Sequence, residues 1–90
     1  SMPKYILGFG LIRAQQSDYE GANIYFDRII KEYPKSEEVY MAHYYKAVGM
    51  ILSGETDKPK KYLEELLKNE NIENNIKIQY EALLSYINEK

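Results

Sequence analysis

Residues 6–34, ILGFGLIRAQQSDYEGANIYFDRIIKEYP, decide how this chain folds. The second half opens with Ser17-Asp18-Tyr19-Glu20, a capping-box pattern. There the hydroxyl accepts from a backbone N–H three residues on, and the glutamate reaches back. Ala22, Phe26, Ile29, Ile30 and Tyr33 then fall at i, i+4, i+7, i+8 and i+11, one stripe of a helix. Pro34 prevents its continuation. The first half carries Ile6, Leu7, Phe9, Leu11 and Ile12, which with Pro3 in the first turn predict a helix over 3–16. Gly8 and Gly10 should each weaken it by about 1 kcal/mol relative to Ala. Two glycines in one short helix therefore predict close packing against a neighbour, or a frayed first helix.

The same reading extends downstream. Ser36 with Glu37 and Glu38 should start a third helix, a hydroxyl cap followed by two acids against the positive end of the dipole. It should reach Leu52 and end at Gly54 in the left-handed conformation. Tyr40, Tyr44, Ala47, Val48 and Ile51 form its stripe, widened by Met41 and Tyr45. Thr56 or Asp57 should cap a fourth helix, with Pro59 tolerated in its first turn. Tyr62, Leu63, Leu66 and Leu67 are its apolar face. Lys58, Lys60 and Lys61 sit at the end unfavourable for cations and read as a solvated cluster, with an anion contact as the alternative. Asn71 should cap a fifth helix carrying Ile72, Ile76, Tyr80, Leu83, Leu84 and Ile87. No segment alternates like a strand. The expectation is an all-α fold of about five helices, with short connections that favour antiparallel neighbours.

Composition narrows the function classes. Ninety residues make one small domain that buries roughly 65% of its unfolded surface. The absence of cysteine excludes a disulfide framework and thiolate metal sites. The net charge of −2, with signs interspersed, lacks the basic stripe that nucleic-acid binding needs. No run approaches the ~20 apolar residues that span a bilayer, so no membrane insertion is expected. Ser1-Met2 reads as a tag-cleavage residue before a start methionine, outside the domain. No signal peptide is visible, and cytoplasmic and bacterial periplasmic locations both stay open. Ten tyrosines stand against two phenylalanines. They fit either a base-composition bias or a recognition surface, since Tyr offers area and a polar tip at low entropy cost.

The spacing Ile6-x-x-Phe9-Gly10, Asp18-Tyr19, Ala22, Phe26 and Pro34 resembles one tetratricopeptide repeat. A second unit aligns 37 residues later: His43 falls where Ile6 stands, Ala47 where Gly10 stands, Leu63 where Phe26 stands and Leu66 where Ile29 stands. The family period is 34, so three extra residues lie after Pro34. The stretch Glu32-Tyr33-Pro34-Lys35-Ser36 followed by Ala42-His43-Tyr44 looks like a longer-repeat subtype common in bacterial envelope proteins. Arg13 departs from the Tyr usual there. Pro59 stands where Ala22 would recur and Asn71 where Pro34 would recur, so the second unit is degenerate. The resemblance implies a single domain over 3–90: a first repeat at 3–34, a second at 36–70 and a capping helix at 71–89. It implies antiparallel hairpins stacked as a short right-handed α-solenoid. The small residues Gly10, Ala22 and Ala47 would let helix axes approach while Phe26 and Leu63 fill the space between. A generic five-helix bundle is the competing architecture.

Little in the chain points to chemistry. His43 is the only histidine, aligns with an apolar position and reads as a packed residue. The neighbouring acids Glu37/Glu38 and Glu64/Glu65 point away from each other on a helix. Ser17 and Ser36 are explained as caps. No phosphate loop, metal-spaced cluster or nucleophile-plus-base set exists, so no enzyme, cofactor or metal is expected.

In the family this chain resembles, the first helix of each pair lines a concave groove. By alignment, the groove positions are Lys4, Leu7, Leu11, Ala14 and Gln15 on the first helix, and Met41, Tyr44, Val48, Ile51 and Leu52 on the third. Helix five is expected to cover part of that set. Chaperone-docking members clamp a carboxylate with Lys, Arg and Asn at such places; here only Lys4 is charged. The set better suits an apolar peptide or amphipathic helix of a partner protein. The alternative is a structural unit, either a slice of a longer solenoid or a self-associating homo-oligomer.

Overall fold

The computed structural model describes residues 1–89. Among them are five α-helices and no strand: α1 (Met2–Gln15), α2 (Tyr19–Glu32), α3 (Glu38–Leu52), α4 (Asp57–Leu66) and α5 (Asn74–Asn88). They form two compact units, Ser1–Gly49 and a second from Met50 onward, with the boundary inside α3.

The first unit is built on one core. Ile6 of α1, Ala22, Phe26 and Ile29 of α2 and Ala42 of α3 are almost completely buried together. Leu7, Leu11, Ala14, Tyr25, Ile30, Tyr33, Val39 and Tyr45 pack around them. Helices α1 and α2 run antiparallel, as their paired positions Phe9–Tyr25, Gly10–Phe26 and Arg13–Asp18 show. Gly10 is the point of closest approach: a Cβ placed there would stand 2.5 Å from Cε1 of Phe26. The expected small-against-large contact is therefore present. Helix α3 runs antiparallel to α2 through Tyr45 on Phe26, Lys46 on Asp27 and Gly49 on Tyr19.

The turn between α1 and α2 differs from the capping box read in the sequence. Ser17 has φ 60, so it closes α1 instead of opening α2. Its N–H donates to the Ala14 carbonyl and that of Asp18 to the Arg13 carbonyl, a Schellman closure. Asp18 is the N-cap, accepting from the Gly21 N–H at 2.9 Å. The physical reason is length. Once the Schellman bonds consume Ser17 and Asp18 N–H groups, the next side chain able to reach the first turn of α2 is the Asp18 carboxylate. Ser36 is likewise a correction. Its hydroxyl donates to the Tyr33 carbonyl at 2.7 Å, closing α2, and α3 begins only at Glu38. Pro34 and Gly54 stop their helices as expected, Gly54 with φ 90.

Phe9 is a further correction. The repeat signature makes it a packing residue, yet it is exposed. Its ring meets only the flank of Tyr25, with centroids 5.9 Å apart. A rotation of one residue explains this. With Ile6 and Gly10 directed at α2, position 9 falls about 100° off that face.

In the second unit α4 and α5 pack on each other. Pro59, Leu63, Tyr80 and Ile87 are buried, Leu63 as expected of the apolar face of α4. Helix α5 starts at Asn74, three residues later than read. Asn71 does not cap it: the N-cap position falls to Glu73, and the Asn71 N–H donates to Oδ1 of Asn69 in a local side-chain turn that precedes the helix.

Candidate functional site

Helix α1 supplies the first part of the expected groove. Leu7 and Leu11, one turn apart, are half-buried and pack against the core cluster. Ala14 continues that line, while Lys4 and Gln15 are exposed beside it. Helix α3 supplies the second part. It gives Ala42, Tyr45, Lys46 and Gly49 to the core and to α2. Met41, Tyr44 and Val48 fall at i, i+3 and i+7 on a different side and stay half-buried. Tyr44 is held edge-on by Tyr45, with ring centroids 5.5 Å apart. Each of these side chains keeps an accessible part.

Ile51 and Leu52 belong to the second unit. There they line a concavity of about 320 Å³ with Gly54, Glu55, Thr56, Tyr86 and Ile87. Tyr86 and Ile87 of α5 thus share a concavity with the end of the expected set, where Leu52 is exposed.

The polar groups near α3 are structural in geometry. Lys46 and Asp27 form an ion pair at 2.7 Å that ties α3 to α2, and the lysine stem is largely covered. His43 is half-buried nearby. Burial and then the Lys46 charge push its pKa down to about 4, opposed by Asp27. The imidazole is neutral at neutral pH, since its charged form would lose hydration beside an existing cation. Among the described residues no three His, Asp or Glu side chains come together as a metal-ion ligand set. No described helix is long and apolar enough to cross a membrane.

No family model, curated protein or solved structure matches this chain.

One surface was not anticipated from the groove positions. Met2, Tyr5, Phe9 and Ile12 are all exposed and lie at spacings of 3, 4 and 3, one continuous stripe of α1. A signal existed: α1 is apolar on nearly every side, with Lys4 and Arg13 as its only charges. Such a helix needs cover on more faces than one neighbour supplies.

Proposed function

We propose that this chain is a non-catalytic protein-interaction module of the tetratricopeptide-repeat kind, taking an apolar peptide or helix of a partner on the faces of α1 and α3 that carry Leu7, Leu11, Met41, Tyr44 and Val48. The observation that carries the reading is the state of those five side chains. They are largely apolar and half-covered, Leu7 and Leu11 packed against the core cluster, while Lys4 and Gln15 stand exposed at the edge. Half-covered apolar groups on rigid helices lose little conformational entropy when a ligand completes their burial. Gly10 against Phe26 supports the repeat reading, because that pair sets the helix spacing the signature requires. An acidic tail would find only Lys4 for charge.

The test is selection of displayed amphipathic peptides on the full chain. Selected sequences should share apolar anchors at helical spacing. Leu11→Glu with Val48→Glu should abolish their binding with helicity unchanged. Binding that survives the double substitution would refute the assignment.

A second reading, a structural unit that assembles with itself, is favoured by a different observation: the exposed stripe of α1 opposite its core face.

A further inference from the structure

The outer stripe of α1 is the largest uncovered apolar feature of the first unit. Met2 is 53% exposed, Tyr5 65%, Phe9 54% and Ile12 53%. With side chains of this size offering ~150–250 Å² each when fully open, the four present roughly 400 Å². Patches of that size on a monomer usually mark an interaction surface. The four stripe side chains themselves carry no charge. Arg13, one turn on from Phe9, stands at the end of the stripe and is held by Asp18 at 3.5 Å.

We propose that this stripe binds a second copy of the chain, with the two α1 helices packed antiparallel about a two-fold axis at the level of Leu7. The register follows from the positions. Residues 5 and 9, and residues 2 and 12, are each centred on position 7. In an antiparallel pair Tyr5 lies opposite Phe9 of the second copy, and Met2 opposite Ile12. Each stripe residue then meets another stripe residue, which is the self-complementarity an isologous contact requires. Spacings of 3, 4 and 3 are those of a helix–helix seam crossing at about 20°. Gly8 borders the seam next to its centre, with open space where a Cβ would be, so the helix axes can approach closely there. Antiparallel packing also opposes the two helix dipoles.

The area sets the strength. The eight stripe side chains bury roughly 800 Å², and the flanks bring the contact to about 1,000–1,200 Å², the low end of specific interfaces. The dimer is accordingly weak, with a dissociation constant on the order of tens to hundreds of micromolar. This contact is independent of the groove reading, because Leu7 and Leu11 lie on another side of α1.

The test is sedimentation of the full chain from about 10 µM to about 1 mM. The native chain should pass from monomer to dimer. Tyr5→Lys alone and Phe9→Glu alone should each stay monomeric with unchanged helicity. Mixed in equal amounts, the two variants should form a heterodimer, since the antiparallel register places the new cation opposite the new anion and leaves a native Tyr–Phe pair. Leu11→Glu with Val48→Glu should leave dimerisation intact. A native chain that stays monomeric throughout, a dimer indifferent to either single variant, or a mixture that stays monomeric would each overturn the proposal. As a second measurement, the chain has no native cysteine. Mixed Tyr5→Cys and Phe9→Cys variants should therefore oxidise to the mixed disulfide in preference to either homodisulfide; equal yields would exclude the register.

Discussion

The contact of Gly10 with Phe26 gives the sharpest test of the fold, because helix propensity and packing predict opposite signs for one substitution. In the interior of a helix Ala is better than Gly by about 1 kcal/mol. At Gly8 a Cβ would meet nothing within 4 Å, so Gly8→Ala should realise that gain. At Gly10 the Cβ would lie 2.5, 2.9 and 3.1 Å from Cε1, Cδ1 and Cζ of Phe26. Carbon atoms prefer 3.5–4.0 Å, so the ring or the helix must move by roughly 1 Å. Phe26 is 1% exposed, enclosed by the core. Overpacking of this kind costs about 1–3 kcal/mol, and contacts this short against a fully buried ring belong near 3. After the propensity gain, Gly10→Ala should lose about 2 kcal/mol net. Gly8→Ala should gain about 1. For a domain of this size 1 kcal/mol moves Tm by roughly 4–8 °C. The expected shifts are thus about 8–16 °C down for Gly10→Ala and about 4–8 °C up for Gly8→Ala. Thermal and urea unfolding followed by far-UV circular dichroism would read both, at low micromolar protein so that self-association contributes nothing. Phe26→Leu frees part of the ring volume, so in that background the Gly10→Ala penalty should shrink by at least about 1 kcal/mol. Equal stability changes for the two alanine variants would refute the packing argument and, with it, the close antiparallel approach of α1 and α2.

The turn between these helices offers two further checks. Asp18→Ala should cost about 1 kcal/mol through loss of the cap to Gly21, whereas Ser17→Ala should spare the cap; equal losses in urea titrations would restore the capping-box reading. Ser17→Gly should raise stability by about 0.5–1 kcal/mol, because φ 60 burdens any side chain with a left-handed penalty. A drop in Tm would contradict that backbone geometry. The pH dependence of stability should carry a His43 signature. The folded pKa of about 4 lies below the ordinary 6.5, so the unfolded chain binds the proton more tightly. The stabilisation from neutral His43 is complete above pH 6.5 and lost as pH falls towards 4. The full shift would correspond to about 3 kcal/mol; a half-accessible ring is screened by solvent, which leaves about 1–2. His43→Gln should flatten the fall between those pH values by that amount, and parallel curves for the two proteins would refute it.

The helical architecture was legible because its signals are local. Pro34 and Gly54 end helices whatever surrounds them, and the stripes of α2 and α4 point one way only, so Ala22, Phe26, Ile29 and Leu63 could be placed in the interior directly. The expected groove positions were legible only as positions. Their common half-buried state depends on how much of each side chain the neighbouring helices leave uncovered. Asn71 and Ser36 misled for a related reason. Each is a good cap in isolation, but the Ser36 hydroxyl found a nearer partner in the Tyr33 carbonyl, and Asn71 lies ahead of the start of α5, whose N-cap is Glu73.

Helix α1 marks the division most clearly. Its sequence alone determined that it is a helix and that a short turn favours pairing with the next one; that Gly10 and not Gly8 is where the two approach was decided by the packing against Phe26. Nearly every side of it is apolar, so periodicity could not choose which side faces inward. Only the packing of α2 decided that Ile6 and Gly10 turn to the core and that Met2, Tyr5, Phe9 and Ile12 turn out. The physical reason is that propensity and caps act within a few residues, whereas the choice among equally apolar faces is made by the shape of the neighbour that covers one of them.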